Sequence, residues 1–190
     1  MRKLVKIGTI AVFISFIIAI DSSCNRGNMF PKATTSLDSI HKVLQKTDSA
    51  LAKVDTVTIK KCTDNIFKTL ANVKRLEQDT VSRGASEILR SFNAVRYELQ
   101  TFMGRQTVLK VEVKKSLAQV DNLSHDIKNN KIPKDSVMIY YGFEMKKAVE
   151  LIETAKYGIT SIVNTQLPLY SLIAPKADSL VARLNNHEKI

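Results

Sequence analysis

Residues 81–102, VSRGASEILRSFNAVRYELQTF, carry the strongest structural signal in this sequence. Their apolar residues recur at alternating steps of four and three, at Val81, Ala85, Ile88, Phe92, Val95, Leu99 and Phe102. This spacing places all of these side chains on one face of an α-helix, whereas a half-buried strand would alternate at every second residue. The stretch therefore predicts a helix with one apolar face, which is stable when that face packs against other helices.

The same spacing continues on both sides of this stretch. Upstream, the apolar positions are Leu37, Ile40, Leu44, Leu51, Val54, Ile59, Cys62, Ile66, Leu70, Val73 and Leu76. Downstream they are Leu109, Val113, Leu117, Val120 and Ile127, followed by Tyr141, Met145, Ala148, Ile152, Ala155, Ile159 and Ile162. Residues 108–113 could also be read as a strand, but their flanks favour a helix. We predict an all-α fold, an elongated, coiled-coil-like antiparallel bundle of three or four long helices over residues 35–190.

Breaks in the spacing divide the bundle into three segments, 36–78, 81–129 and 135–187. As helices, each would be roughly 65–80 Å long. Three triplets offer helix starts: Asp55-Thr56-Val57, Asp79-Thr80-Val81 and Asp135-Ser136-Val137. Side chains of Asp, Ser and Thr accept hydrogen bonds from the backbone at a helix N-terminus. The third triplet follows Pro133, which makes it the clearest start.

The first triplet leaves the number of helices open. Ile40, Leu51, Cys62 and Val73 are eleven residues apart, so one apolar face stays in phase through this triplet. The first segment is therefore either one long helix or two.

Glycine and proline mark further expected irregularities. Gly104 is a candidate kink in the second segment. Pro168 and Pro175 are expected to bend or interrupt the third segment, leaving a separate short helix at 176–186.

The chain begins with a basic lead (1–6), an apolar run (7–20) and a short polar stretch that ends at Cys24. A membrane-spanning helix needs roughly 20 apolar residues, so this run is too short for a permanent span. A charged lead, a short apolar core and small residues at a cleavage point are typical of a secretory signal. Residues 1–23 are therefore predicted to be a signal peptide.

Residues 22–24, Ser-Ser-Cys, resemble the cleavage site of bacterial lipoproteins, although Asp21 stands where that pattern has an aliphatic residue. The resemblance implies that Cys24 is acylated, as with palmitate, and becomes the first residue of a membrane-anchored mature protein. Asn25 is not the Asp that favours retention in the inner membrane, so the resemblance also implies the outer membrane, facing the periplasm. Residues 24–34 are mostly polar and predict a flexible tether.

The formal net charge is +11, and Lys128, Lys131 and Lys134 cluster at the turn between the second and third segments. A basic surface favours anionic neighbours such as phospholipid head groups or lipopolysaccharide phosphates. The cluster is therefore a predicted anionic contact, with a solvated turn as the alternative. The sequence has no recognisable nucleic-acid-binding motif, so nucleic acid is not an expected partner.

The sequence offers few groups for chemistry. His41, His125 and His187 lie far apart, and the zinc-protease, serine-hydrolase and P-loop motifs are absent. Cys62 is the one cysteine beyond Cys24, and its apolar neighbours predict a buried core thiol. We expect no metal, no cofactor and no enzymatic activity.

Aromatic residues concentrate near the start of the third segment, at Tyr140, Tyr141, Phe143 and Tyr157. We expect them to pack against the end of the preceding helix. A small-molecule pocket between helices at Tyr140, Tyr141 and Tyr157 is the alternative. The region 123–144 also resembles the hairpin of small helical lipoproteins of unknown function, a resemblance that implies no activity.

The sequence as a whole indicates a lipid-anchored cell-envelope protein that serves as a non-catalytic structural or interaction module. Its expected partners are the membrane, through Cys24, and an envelope protein or an anionic envelope component; self-association is possible. A periplasmic sensor that binds a small molecule between its helices is the alternative.

Overall fold

The computed structural model of the protein describes residues 30–76 and 83–187, and these ranges are almost entirely helical. The helices are α1 (Phe30–Lys53), α2 (Thr56–Leu76), α3 (Arg83–Lys128), α4 (Lys134–Ser161) and α5 (Leu167–His187), with a short π-helix (Ile162–Gln166) between α4 and α5. No strand occurs in these ranges, and residues 108–113 lie inside α3. The predicted all-α fold is confirmed.

The helices form three rods. The first rod is α1 with α2, the second is α3, and the third is α4, the π-helix and α5. Ser124 on α3 donates a hydrogen bond to Asp38 on α1 (Oγ–Oδ1 3.0 Å). Gln106 on α3 donates to the carbonyl of Leu51 on α1 (Nε2–O 2.8 Å). Residue numbers therefore rise along α1 as they fall along α3, which makes the first two rods antiparallel.

The third rod is antiparallel to α3 in turn. Lys147 on α4 donates to Gln119 on α3 (Nζ–Oε1 3.1 Å). Further along, the rings of Tyr170 on α5 and Phe92 on α3 stack with their centroids 5.9 Å apart. The hydroxyl of Tyr170 accepts a hydrogen bond from Asn65 on α2 (2.8 Å), which joins the third rod to the first. The predicted antiparallel bundle is confirmed.

The core follows α3 along its whole length in three apolar clusters. The first cluster joins α1, the second half of α3 and α4; the next joins α2, the first half of α3 and α5; the last closes the far end. Their buried residues include Leu44, Val120 and Ala148 in the first, Ile66, Leu99 and Ile173 in the next, and Val73, Ala85 and Leu180 in the last. Both other rods thus bury their apolar faces on α3.

The described part of the apolar stripe, from Ala85 to Phe102, lies in this core. Ala85, Phe92, Val95, Leu99 and Phe102 are buried, and Ile88 packs against them. Cys62 is also buried, as predicted. Burial raises the pKa of the Cys62 thiol, and the nearby negative charge of Asp55 raises it further. This thiol is therefore held in its protonated, poorly nucleophilic form.

The first rod breaks at Asp55, so the possibility of a single helix through this point is wrong. The Asp55 carboxylate caps α2, because it accepts hydrogen bonds from the Thr58 hydroxyl (2.7 Å) and the Thr58 backbone N–H (2.9 Å). These two bonds hold the pKa of Asp55 below its usual value. The eleven-residue spacing nevertheless predicts the core correctly, since Leu51 and Cys62 are buried on the two sides of the break.

Helix α1 begins at Phe30, six residues before the predicted start at Ser36. Residues 30–34 are therefore helical, and the predicted tether over 24–34 is wrong for this part. Proline is tolerated in a first helical turn, where its missing N–H has no helical partner to lose. The carbonyl of Pro31 accepts hydrogen bonds from the hydroxyls of Thr34 (3.0 Å) and Thr35 (2.8 Å).

Glycine and proline interrupt the helices less than predicted. Helix α3 passes through Gly104 without a break, and α5 contains Pro175, so the separate helix predicted at 176–186 is wrong. The third rod is interrupted earlier, at the π-helix, where the Leu167 N–H bonds to the carbonyl of Ile162. This wider turn contains residue 164, whose carbonyl the ring of Pro168 would meet in a regular α-helix.

Several predictions fall outside the described residues. The second triplet, at 79–81, lies in the range 77–82, and the predicted signal, Cys24 and most of the tether lie in 1–29. Within the two described ranges, no helix combines the length and the apolar character that a membrane span requires.

Replacing Gln106 with Met tests the contact that supports the break in the first rod. Gln106 is buried and donates to the carbonyl of Leu51, in the last turn of α1, where carbonyls lack helical donors. Gln106→Met keeps the side-chain length but leaves this carbonyl unpaired, so we expect the free energy of unfolding to fall by about 1–3 kcal/mol. Urea unfolding followed by circular dichroism measures it.

Gln45→Met is the matched control, because Gln45 lies on the exposed face of α1. A Gln106→Met protein as stable as the control would contradict the assigned role of Gln106.

Candidate interaction surface at the hairpin end

The turn between α3 and α4 is a tight helix-capping motif. Asn130 has a positive φ of 51°. The Lys131 N–H bonds to the carbonyl of Asp126 (2.9 Å), and the Asn130 N–H bonds to the carbonyl of Ile127 (3.1 Å). This pair of bonds is the Schellman arrangement, in which asparagine is tolerated at the left-handed position. Helix α4 then begins at Lys134, one residue before the predicted start at Asp135. Its N-cap is Pro133 and no side chain caps it, so the predicted capping by the third triplet is wrong.

Hydrogen bonds to Asp38 connect the end of α3, beside this turn, to the start of the first rod. The carboxylate accepts hydrogen bonds from Ser124 (3.0 Å) and from Lys128 (3.2 and 3.3 Å). Partial burial acts to raise the pKa of Asp38, but these hydrogen bonds and the charges of Lys128 and Lys42 outweigh it and hold the pKa below its usual value. The contact fixes α1 and the end of α3 at the same end of the bundle, which we call the hairpin end.

The predicted anionic contact at Lys128, Lys131 and Lys134 is only partly available. Lys128 pairs with Asp38 (3.2 Å), and Lys131 pairs with Asp126 (3.6 Å). Lys134, at the first position of α4, has no ion pair among the described residues. The structure therefore brings the three lysines to one turn, where the first two already neutralise carboxylates of the chain.

The three tyrosines of the predicted pocket do not converge. Tyr141 packs partly buried against the core, whereas Tyr140 is exposed and Tyr157 is 79% exposed. Tyr140 and Tyr157 are 17 residues apart on α4, which separates them by about 25 Å along the helix. The main expectation, that the aromatic residues pack against the preceding helix, is correct for Tyr141 and wrong for the exposed Tyr140, Phe143 and Tyr157.

Large apolar side chains are exposed at the start of α4 instead. Ile139 is 67% exposed and Phe143 is 75% exposed, and Met138 and Tyr140 are exposed beside them. Ile139 and Phe143 are one helical turn apart, so they form a continuous ridge. We call Lys134, Met138, Ile139, Tyr140 and Phe143 the hairpin surface. The sequence contains a signal for it, because Ile139 and Phe143 fall out of phase with the core-facing series Tyr141, Met145 and Ala148.

A second exposed apolar stripe follows the outer face of α3. Tyr97, Thr101, Gly104, Val108 and Val111 are again spaced by four and three, and the tyrosine and the two valines are exposed. The stripe contains no charged residue and extends about 21 Å along the helix. Nothing lies within 4 Å of the position that a Cβ on Gly104 would occupy. We call these residues the outer stripe.

The depressions found beside the hairpin end are shallow and polar. One, of about 300 Å³, lies between α1 and α3 and is lined by Asp38, His41, Gln45 and Asp121, among others. It is open to solvent and does not resemble an enclosed, mostly apolar ligand pocket. Among the described residues, no three His, Cys, Asp or Glu side chains come together as a metal site would require.

Comparisons of this chain with protein-family models, with curated proteins and with solved structures gave no significant match.

Replacing Asp38 with Asn tests the link between α1 and the turn. The carboxyl binds its proton at lower pH in the folded chain than in the unfolded chain, so its contribution to stability is complete above the unfolded pKa and disappears as the pH falls through the folded one. We expect Asp38→Asn to lower the free energy of unfolding by about 0.5–1 kcal/mol near neutral pH, because the ion pair is half exposed. Urea unfolding near pH 7 and near pH 2 measures this difference, which should vanish at the lower pH.

Asp121→Asn is the control, since Asp121 is an exposed carboxylate of α3 without an ion pair among the described residues. If Asp38→Asn lowered the free energy of unfolding by the same amount at both pH values, the result would contradict the role of this charge.

Proposed function

We propose that the protein is a lipid-anchored, non-catalytic interaction module of a bacterial cell envelope. In this proposal, acylated Cys24 holds the bundle at the outer membrane, facing the periplasm, and its partners are an envelope protein or an anionic envelope component, not nucleic acid. The observation that carries the anchor is the residue pattern of 1–24, a basic lead, a short apolar run and Ser-Ser-Cys.

The position of α1 supports a close attachment. Cys24 precedes Phe30, the first residue of α1, by six residues, which span at most about 20 Å even when fully extended. A bundle attached in this way stays near the membrane, and its hairpin end is the nearer end.

The outer stripe supports an interaction role. Its exposed residues Tyr97, Val108 and Val111 repeat the spacing with which the core face of α3 packs against the other rods. A helix of another protein can pack against such a face in the same manner. The site offered is a long convex surface, which suits a macromolecular partner better than a small molecule.

The sensor alternative gains no support from the described residues. It depends on a pocket between helices at Tyr140, Tyr141 and Tyr157, and these side chains point to different surroundings. We therefore propose the interaction module alone.

Replacing Cys24 with Ala tests the anchor. The acyl chains contribute roughly 0.8 kcal/mol for each buried methylene, so their loss should release the protein from the membrane into the soluble periplasmic fraction. Fractionation of cells that express the full chain, with metabolic labelling by a palmitate analogue, measures both attachment and acylation. Cys62→Ala is the matched control and should remain labelled and membrane-bound, since Cys62 is buried in the core.

The anchor would be disproved if the Cys24→Ala protein stayed firmly in the membrane fraction, or if the unaltered chain took up no label.

Photocrosslinking from the outer stripe tests the interaction role. A photoreactive amino acid at Val108, which is exposed in this stripe one turn beyond its central Gly104, should give one predominant adduct in intact cells. The control is the same group at Lys156, on the exposed face of α4, which should give only weak and diverse adducts. Identical adduct patterns at the two positions would show that the outer stripe is not a specific contact.

A further inference from the structure

The exposed side chains at the start of α4 are not explained by the folding of the chain. Complete burial of an Ile or Phe side chain is worth roughly 1.5–3 kcal/mol, and Ile139 and Phe143 forgo most of it at 67% and 75% exposure. On the helix they lie opposite the core-facing residues Val137 and Ala148. The hairpin surface is therefore available for contact with something other than this chain.

The surroundings of this ridge combine apolar and basic groups. Lys134 precedes it by about one turn, and Lys146 follows Phe143 by three residues on the same exposed side. The nearest carboxylate along α4 is Glu144, which follows Phe143 directly but is partly buried, with one carboxylate oxygen shielded from solvent. Asp135 lies at the start of α4, and Glu150 lies beyond Lys146. Exposed apolar side chains flanked by lysines are typical of helices that lie in the head-group region of a membrane.

The hairpin surface also lies at the end of the bundle where the chain enters it. The Lys128–Asp38 ion pair (3.2 Å) places the α3–α4 turn beside the first turns of α1. Ile139 and Phe143 are five and nine residues after the start of α4, or about 8 and 14 Å along the helix. The six residues from Cys24 to Phe30 reach no further than about 20 Å, so an anchored chain keeps the start of α1 within that distance of the bilayer and the hairpin end nearer to it than the opposite end of the bundle.

We propose that the hairpin surface rests on an anionic phospholipid membrane, with Ile139 and Phe143 entering the head-group region and Lys134 near the lipid phosphates. This inference rests on the proposed lipid anchor and adds an orientation to it: the hairpin end faces the bilayer, and the outer stripe remains accessible along the side of the bundle. The ridge is convex, a shape that suits a deformable lipid surface without a complementary groove.

The chain contains no tryptophan, so one introduced tryptophan reports on its own surroundings. The experiment uses the full chain, purified from cell membranes in detergent and reconstituted into phosphatidylglycerol-containing vesicles with and without brominated lipids. Phe143→Trp places the probe on the hairpin surface. Tyr97→Trp is the matched control, an aromatic replacement at a comparably exposed position about 45 Å along α3 from its hairpin end.

We expect the emission of the tryptophan at position 143 to shift to the blue and to lose most of its intensity with brominated lipids, while the tryptophan at position 97 changes little. Adding Lys134→Glu to the Phe143→Trp chain should reduce the quenching at low salt, because it replaces an attraction to the phosphates with a repulsion. Lys134 is chosen because, unlike Lys128 and Lys131, it has no ion pair in the described residues whose loss would disturb the turn.

Equal quenching at the two positions, or none at position 143 in a chain that sediments with the vesicles, would overturn the proposed membrane contact while leaving the anchor intact. A blue shift at position 143 without quenching would also overturn it and would assign the hairpin surface to a protein contact. Failure of the anchor itself is detected separately, by the Cys24→Ala fractionation.

Discussion

The structure depends on the burial of the apolar face of α3. This helix has 46 residues, and its face is too long for either α1 or α2 to cover alone. The first rod covers part of it by placing two helices end to end, and the third rod covers the rest with α4 and α5 while also packing against the first rod. Short connections then require neighbouring rods to be antiparallel, which brings the start of α1 to the α3–α4 turn. The orientation that we infer at the membrane follows from this arrangement.

Each interruption of a rod occurs where specific polar groups replace the lost backbone bonds. At the break in the first rod, Asp55 caps α2 while Gln106 on α3 satisfies the carbonyl of Leu51. In the third rod, the π-helix precedes Pro168, and packing of Ile173 and Ala177 against α3 carries the helix through Pro175. The buried apolar face therefore continues across each point at which the regular helical backbone is interrupted. Burial of the apolar face prevails over local helix-breaking tendencies.

Apolar spacing predicted the helices and most of the core, because helical periodicity is a property of consecutive residues. It could not predict Gln106 as a partner of Leu51, or Asp38 as a partner of Lys128, because these residues are 55 and 90 positions apart. The pairing of Lys128 was missed for this reason. Lys131 pairs with Asp126 only five residues earlier, but across the turn, where helical spacing does not apply. The exposure of Ile139 and Phe143 could be predicted from their positions outside the core-facing helical series of α4. The concentration of aromatic residues there, taken alone, suggested packing or a pocket instead.

The hairpin surface can face the membrane only if α1 runs antiparallel to α3, with its start at the hairpin end. Pulsed electron paramagnetic resonance on paired spin labels, in a chain with Cys24 and Cys62 replaced, measures this directly. Labels at Ser39 and Asn122 should lie within about 20 Å of each other, since packed helix axes are 8–10 Å apart. Labels at Ser39 and Arg90 should be separated by about 45 Å or more. A short distance for Ser39 and Arg90 would contradict the antiparallel arrangement and the membrane orientation derived from it.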